Sequence, residues 1–334
     1  MIRSRVAFWT NERGYFVSDS VKPIPLIIDC DPGQDDAIAL MLAMASPGEL
    51  DLLGVSAVAG NVPLALTEAN ARSIRDVAGR PEIPVYAGCP RPMVKVLETA
   101  EYVHGKSGID GANLPQPSRP VEQAHAVDWL IDILRRAETP ITLATLGPLT
   151  NVAMAIVMAP DIVENISELV LMGGALSLGN ITPSAEFNIY SDPHAAHIIF
   201  ESGLKLTMIG LDVTHQARAN PARLEAIRAI GNPASNSVAG MLDFYGAQYI
   251  ATFGEGAPLH DPCVIAYIIR PDLFTGQDMR VDIEIGSPLT IGRTVCDLHD
   301  RAGRPANTHV VETIDSDGFF DLLNESLTRL PGIN

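Results

Sequence analysis

Cysteine is scarce in this 334-residue chain, and the four present, Cys30, Cys89, Cys263 and Cys296, lie far apart with no C-x-x-C pair. A disulfide-built scaffold is excluded, and no Cys/His cluster suits zinc. A reducing, cytoplasmic location is expected. Basic residues are also few. Against 40 Asp and Glu there are 23 Lys and Arg, giving a formal charge of −17 that repels phosphate backbones and anionic lipid. Nucleic acid and membrane surfaces are therefore not expected as partners. Long apolar runs are missing as well, since no stretch reaches the ~18 residues of a membrane span. The first twenty residues interleave arginines and aromatics with Asn11, Glu12 and Asp19, which leaves no continuous apolar core for a signal peptide. Residues 1–23 read as an extension outside the fold, and 24–334 as one domain.

What is present is a chain 47% hydrophobic, enough to fill a sizeable interior. From Pro25 onward short apolar runs alternate with segments of helical period, the pattern of an α/β fold with an open, mostly parallel central sheet flanked by helices. Strands are expected at Leu26–Cys30, Leu52–Val58, Ile141–Leu146, Leu169–Met172 and Leu206–Ile209. Helices are expected at Asp35–Ala45, Pro63–Val77, Ala124–Arg136, Leu149–Met158, Pro193–Glu201 and beyond Pro221. The last third adds strands at Met279–Ile285 and His309–Thr313 and a closing helix at Gly318–Leu330, with no place in the sheet assigned to them.

The densest chemistry is the turn Asp29-Cys30-Asp31-Pro32-Gly33-Gln34-Asp35-Asp36. Side chains alternate along a strand, so Asp29 and Asp31 at its carboxyl end share a face, while Asp35 and Asp36 open the next helix, whose N-terminus favours negative charge. Four carboxylates in eight residues repel one another unless a cation shares them. Oxygen donors select a hard ion such as Ca²⁺ or Mg²⁺. The carboxyl ends of parallel strands are also where open α/β sheets bind ligands.

Other motifs fail on particular letters. An EF-hand loop beginning at Asp29 would need an oxygen ligand where Gly33 stands and Glu where Leu40 stands. Gly105-Lys106-Ser107 lacks the first glycine of a phosphate-binding loop, Ala100 occupying its place, and no G-x-G-x-x-G follows a strand. Asp29-Cys30-Asp31 resembles the D-x-D pair of haloacid-dehalogenase-type, Mg²⁺-dependent phosphohydrolases. That alternative needs a later Thr or Ser, a Lys and a distant acidic pair, whereas the extra aspartates here follow at once.

The run Ile27 to Ala37 closely resembles the N-terminal signature of the inosine-uridine-preferring nucleoside hydrolases. Further blocks stand in that family's order: Val58-Ala59-Gly60-Asn61, His104-Gly105-Lys106, Leu146-Gly147-Pro148-Leu149-Thr150-Asn151, Met172-Gly173-Gly174, Ala185-Glu186-Phe187-Asn188 and Leu259-His260-Asp261-Pro262-Cys263. The resemblance spans Leu26 to the C-terminus.

It implies hydrolysis of the N-glycosidic bond of a ribonucleoside, giving ribose and a free purine or pyrimidine base. By the resemblance, Asp31, both oxygens of Asp36, the main-chain carbonyl of Leu146 and the side chain of Asp261 would hold one Ca²⁺ per chain. Asp31 would activate a metal-bound water as general base, with Asp29 in support. Asp35, Asn188 and Asp261 would bind the 2′ and 3′ hydroxyls with Asn61 beside them, Asn180 and Glu186 the 5′ hydroxyl, and His104 would lie near the ribose. For Asp261 the rival role is a helix cap. His260 is the candidate acid for the leaving base, because its ordinary pKa near ~6.5 suits donation close to neutrality. Tyr245 and Tyr249, four apart, either stack on the base or pack on one another. A homo-oligomer, dimer or tetramer, is expected, a non-catalytic nucleoside- or ribose-binding protein is the third alternative, and the preferred base is left open.

Overall fold

The computed structural model describes residues 22–253 and 255–331. Of the expected extension, residues 1–21 lie outside the described residues, and Lys22 and Pro23 lead directly into the first strand. Twelve strands are present among the described residues: β1 (Ile24–Cys30), β2 (Leu50–Ala57), β3 (Val85–Ala87), β4 (Ile141–Thr145), β5 (Ile166–Met172), β6 (Leu206–Ile209), β7 (Arg218–Ala219), β8 (Ala257–Pro258), β9 (Phe274–Met279), β10 (Val281–Ile283), β11 (Thr294–Cys296) and β12 (Thr308–Ile314). Eight of them form one sheet in the order β3-β2-β1-β4-β5-β6-β12-β9. Every pairing in it is parallel except that of β9 with β12. The expected open, mostly parallel sheet is what the chain forms.

Helices cover both faces, and the alternation along β1 shows why. Leu26, Ile28 and Cys30 enter one apolar core while Ile27 enters the other. The helix Gln34–Met44 belongs to the first core and is buried along all 11 residues. It packs on the helices Pro233–Phe253, Pro262–Ile269 and Ser316–Arg329 as well as near the sheet, so no face of it needs polar residues. The second core is closed by the helices Ala126–Arg135, Thr150–Met158 and Pro193–Phe200.

The expected elements are found with ends shifted by a few residues. The exception is Met279–Ile285, where the chain leaves the edge strand β9 at Met279 and starts β10 at Val281, which pairs with β11 outside the main sheet. β12 inserts between β6 and β9, giving the C-terminal third the place in the sheet that periodicity alone could not assign. β3, inside the proline-rich loop Pro81–Pro92, was not expected. It has three residues, too few for a visible period.

The chain runs from β1 outward through β2 to β3, then returns to lay β4 on the other side of β1. That reversal opens a crevice at the carboxyl ends of β1 and β4, where ligands bind in sheets of this kind.

Candidate active site

β1 ends at Cys30, and the next residues turn over the switch point into the helix Gln34–Met44. Asp36 organises this turn. Its Oδ1 accepts from the Asp31 N–H at 3.1 Å, and its Oδ2 accepts from the Gly33 N–H at 2.9 Å and the Asn61 side-chain amide at 3.2 Å. Asn61 follows β2 and also donates its own N–H to Asp31 Oδ2 at 2.7 Å. Asp31 Oδ1 is buried without a hydrogen-bond partner. Gly60 and Gly147 close on the two oxygens of Asp31, and a methyl group at either would overlap them.

Leu146 follows β4 and is anchored by its N–H to the Asp29 carbonyl at 2.8 Å. Its own carbonyl turns toward Asn188, whose side-chain amide donates to it at 2.7 Å and to the Met172 carbonyl at 3.2 Å. Asp261 precedes the helix Pro262–Ile269, yet its side chain makes no capping bond, so the rival role considered for it is not realised. Carboxylate oxygens of Asp35, Asp36 and Asp261 lie within 4.8 Å of one another. Asp31 does not join them at that distance, and Asp35, expected to serve the ribose, does.

These four carboxylates are all buried. Burial and mutual repulsion push Asp31 and Asp261 well above the usual carboxylate range. Asp35 rises to about 7 through burial and the Asp36 charge. Asp36 rises to about 6, burial outweighing the N–H groups that point at it. An arrangement that holds carboxylates together without a basic neighbour, with one oxygen unpartnered, fits a hard divalent cation: the donors are all oxygen, a carbonyl among them. Asp29 lies behind this group. Ser56 and the Asn151 amide, the latter at 2.8 Å, both donate to its Oδ1, and burial raises its pKa to about 7.

A cavity of about 570 Å³ opens above the cluster. Asp35, Asn61, His104, Leu146, Asn180, Glu186, Asn188, His260 and Asp261 border it, which brings together nine of the expected residues. Asp31 and Asp36 lie beneath. Glu186 caps the helix Phe187–Ser191, accepting from the N–H groups of Gly174, Asn188 and Ile189 at 3.0, 2.8 and 3.2 Å, and burial raises it to about 7. Asn180 accepts from the Phe187 N–H at 2.9 Å. Both line the cavity and are held there by the main-chain N–H groups they accept from.

His260 shares a hydrogen bond of 2.8 Å between its Nδ1 and the Thr214 hydroxyl, and burial, with the field of His215, His104 and Arg218, lowers it to about 3. His104 is lowered to about 4 by burial. Both rings are therefore neutral near pH 7. Tyr245 stacks on His104 with ring centres 5.8 Å apart and 13° between planes, and Tyr249 meets Tyr245 edge-on at 5.3 Å. Their four-residue spacing pairs them with each other at the cavity wall.

Sequence reasoning missed several members. His215 and Arg218 border the cavity, Arg218 being the only Lys or Arg to do so among the described residues. Its Nε pairs with Glu255 at 3.1 Å. Neither stands in a motif, and no local period marks them. Gly60 and Asn151 stood inside quoted blocks, but only the fold shows that one abuts Asp31 and the other holds Asp29.

A cavity walled by amides and histidines over buried carboxylates, at the switch point of a parallel sheet, has the place and the lining of a small-molecule site. Residues 26–321 match the family model described as inosine-uridine preferring nucleoside hydrolase, and the chain belongs to that family. An uncharacterized protein of Schizosaccharomyces pombe is 47% identical over 309 residues, covering 92% of this chain and 99% of its own. The pyrimidine-specific ribonucleoside hydrolase RihA of Enterobacter sp. (strain 638) is 45% identical over 308 residues, covering 92% and 98%. Among solved structures, the purine-preferring ribonucleoside hydrolase from Gardnerella vaginalis superposes with a TM-score of 0.85 at 34% identity, covering 91% of this chain and 98% of that one. The protein is an enzyme that hydrolyses the N-glycosyl bond of ribonucleosides. The phosphohydrolase alternative is thereby set aside. Asp29, which would have been its nucleophile, is 1% exposed and already held by Ser56 and Asn151.

Proposed function

We propose that the chain is a calcium-dependent hydrolase of pyrimidine ribonucleosides, with Asp31 as general base. The observation that carries the reading is the unpartnered, buried Asp31 Oδ1 beside the Asp35, Asp36 and Asp261 carboxylates under a cavity lined by hydroxyl-binding groups. Asp31, Asp36, the Leu146 carbonyl and Asp261 would hold the ion. When bound, it supplies positive charge that lowers the pKa of a water in its shell.

Asp31 then has a defined task. Its Oδ2 is fixed by Asn61 and its Oδ1 is free to take the proton of the attacking water, which stands between base and sugar as in inverting hydrolases. Asp35, Asn188 and Asp261 would grip the 2′ and 3′ hydroxyls, with Asn61 beside them and His104 close to the ribose. Asn180 and Glu186 would take the 5′ hydroxyl. Binding energy so collected away from the reacting carbon orients the sugar. His260 is the proton donor to the departing base. The ring is neutral near pH 7, and negative charge growing on the base beside it raises its pKa. Arg218 adds a permanent positive charge on the same wall, which stabilises a base leaving with negative charge.

The pyrimidine preference is supported by relatives at 45% and 47% identity that bear the name pyrimidine-specific ribonucleoside hydrolase, against 34% for the purine-preferring structure. The test is release of reducing sugar from uridine, cytidine, inosine and adenosine by the calcium-loaded enzyme. Faster turnover of uridine and cytidine is expected. Preference for inosine would overturn the base assignment, and no turnover at all would favour a nucleoside-binding protein without catalysis.

A further inference from the structure

We propose that Gln34 fixes the tautomer of His104, so that this ring offers the substrate a hydrogen-bond acceptor and, of the pair His104 and His260, only His260 is left to act as donor. Gln34 is the first residue of the helix Gln34–Met44 and is fully buried. Its Nε2 lies 2.9 Å from the His104 carbonyl and 3.2 Å from the Asp110 carbonyl. Carbonyl oxygens only accept, so the NH₂ must face them, since a flipped amide would set oxygen against oxygen twice. Its Oε1 is therefore the atom 2.6 Å from His104 Nδ1. An amide oxygen cannot donate. The proton sits on Nδ1, and Nε2 carries the lone pair.

The rest of the surroundings hold the ring in that pose. Tyr245 stacks on one side, and a methyl group at Gly33 would come within 2.6 Å of Nδ1. His104 Nε2 makes no hydrogen bond among the described residues and is not sealed from the cavity that the residue borders. It is thus a fixed acceptor for an N–H or O–H of the bound nucleoside. His260 differs, because its Nδ1 partner is the Thr214 hydroxyl, which can donate as well as accept. The nearer partner is the ring, at 2.8 Å against 3.5 Å for the Leu211 carbonyl, and when Thr214 donates to the ring the His260 proton stands on Nε2.

The consequence for the substrate rests on the ribonucleoside reading above, whereas the tautomer does not. The test uses the calcium-loaded full-length chain labelled with ¹⁵N at histidine. Two-bond ¹H–¹⁵N correlation spectra distinguish the tautomers, and a His104→Gln variant identifies the ring's signals. Wild-type His104 is expected to be protonated at Nδ1 alone. In Gln34→Leu the Nε2–H form should become populated, with kcat/KM for the best ribonucleoside falling about three- to tenfold, as for loss of one net hydrogen bond, and calcium content unchanged. A wild-type ring protonated at Nε2 overturns the proposal, and so does a Gln34→Leu protein with unchanged tautomer and kcat/KM. If the variant does not fold, the wild-type spectrum decides alone. If no ribonucleoside is turned over, the functional reading fails while the spectrum still decides this one.

Discussion

Asn61 holds Asp31 at two points: its main-chain N–H meets the carboxylate Oδ2 at 2.7 Å, and its side-chain amide meets the Asp31 carbonyl at 3.1 Å. The same amide reaches Asp36 Oδ2. Asn61→Ala keeps the main-chain bond and removes both side-chain ones, loosening two of the proposed ligands together. Calcium affinity, measured by calorimetric titration of chelated protein, should fall about 10- to 100-fold, as for loss of groups that orient metal ligands. Unchanged affinity would remove Asn61 from that role.

Gly60→Ala and Gly147→Ala test how closely Asp31 must be placed. Neither glycine has positive φ, so the backbone accepts alanine, and the cost is the overlap of the new methyl with an Asp31 oxygen and, at Gly60, also with the Pro148 ring. A displacement of this size should lower kcat about 100-fold while the fold persists. Gly48→Ala, with nothing within 4 Å of the added carbon, serves as the control and should retain full activity.

The raised carboxylates make metal-free protein sensitive to pH. Asp36 near 6 and Asp29 and Asp35 near 7 stand above their ordinary 3.8, so between those values the folded chain binds more protons than the unfolded one. Stability from these groups is present at low pH and is lost as pH rises through about 6–7. His104 and His260, lowered to about 4 and 3, act in the opposite sense, losing stability as pH falls below the ordinary 6.5. Comparing chelated with calcium-loaded protein at each pH removes much of that shared contribution. The difference in Tm should widen from pH 5 to pH 8, and a difference that narrows would refute a carboxylate-held cation.

Arg218→Gln probes the leaving base. For uridine kcat should fall about tenfold, whereas p-nitrophenyl β-D-ribofuranoside, whose leaving group needs no help, should change less than about twofold. Equal losses on both substrates would mean that the Glu255 pairing of Arg218 supports the cavity wall instead of stabilising charge.

The sequence by itself determined the sheet class and the heart of the site. Period-2 and period-3.6 patterning is local, and Asp29, Asp31, Asp35 and Asp36 lie within eight residues, so their convergence needs only one strand, one turn and one helix. The other blocks were legible as a resemblance in a fixed order. Which atoms they bring together was decided only by tertiary structure. Asn188 reaches the Leu146 carbonyl across 42 positions, and Asn151 reaches Asp29 across 122. Such contacts depend on β4 settling beside β1 and β5 beside β4, and a one-dimensional pattern carries no such information. The same holds for Arg218, which no motif marks, and for Gln34, whose amide gains its meaning from a histidine 70 residues away. Burial, which lowers the His260 pKa from its ordinary value to about 3, is likewise a property of the packed chain and not of the letters.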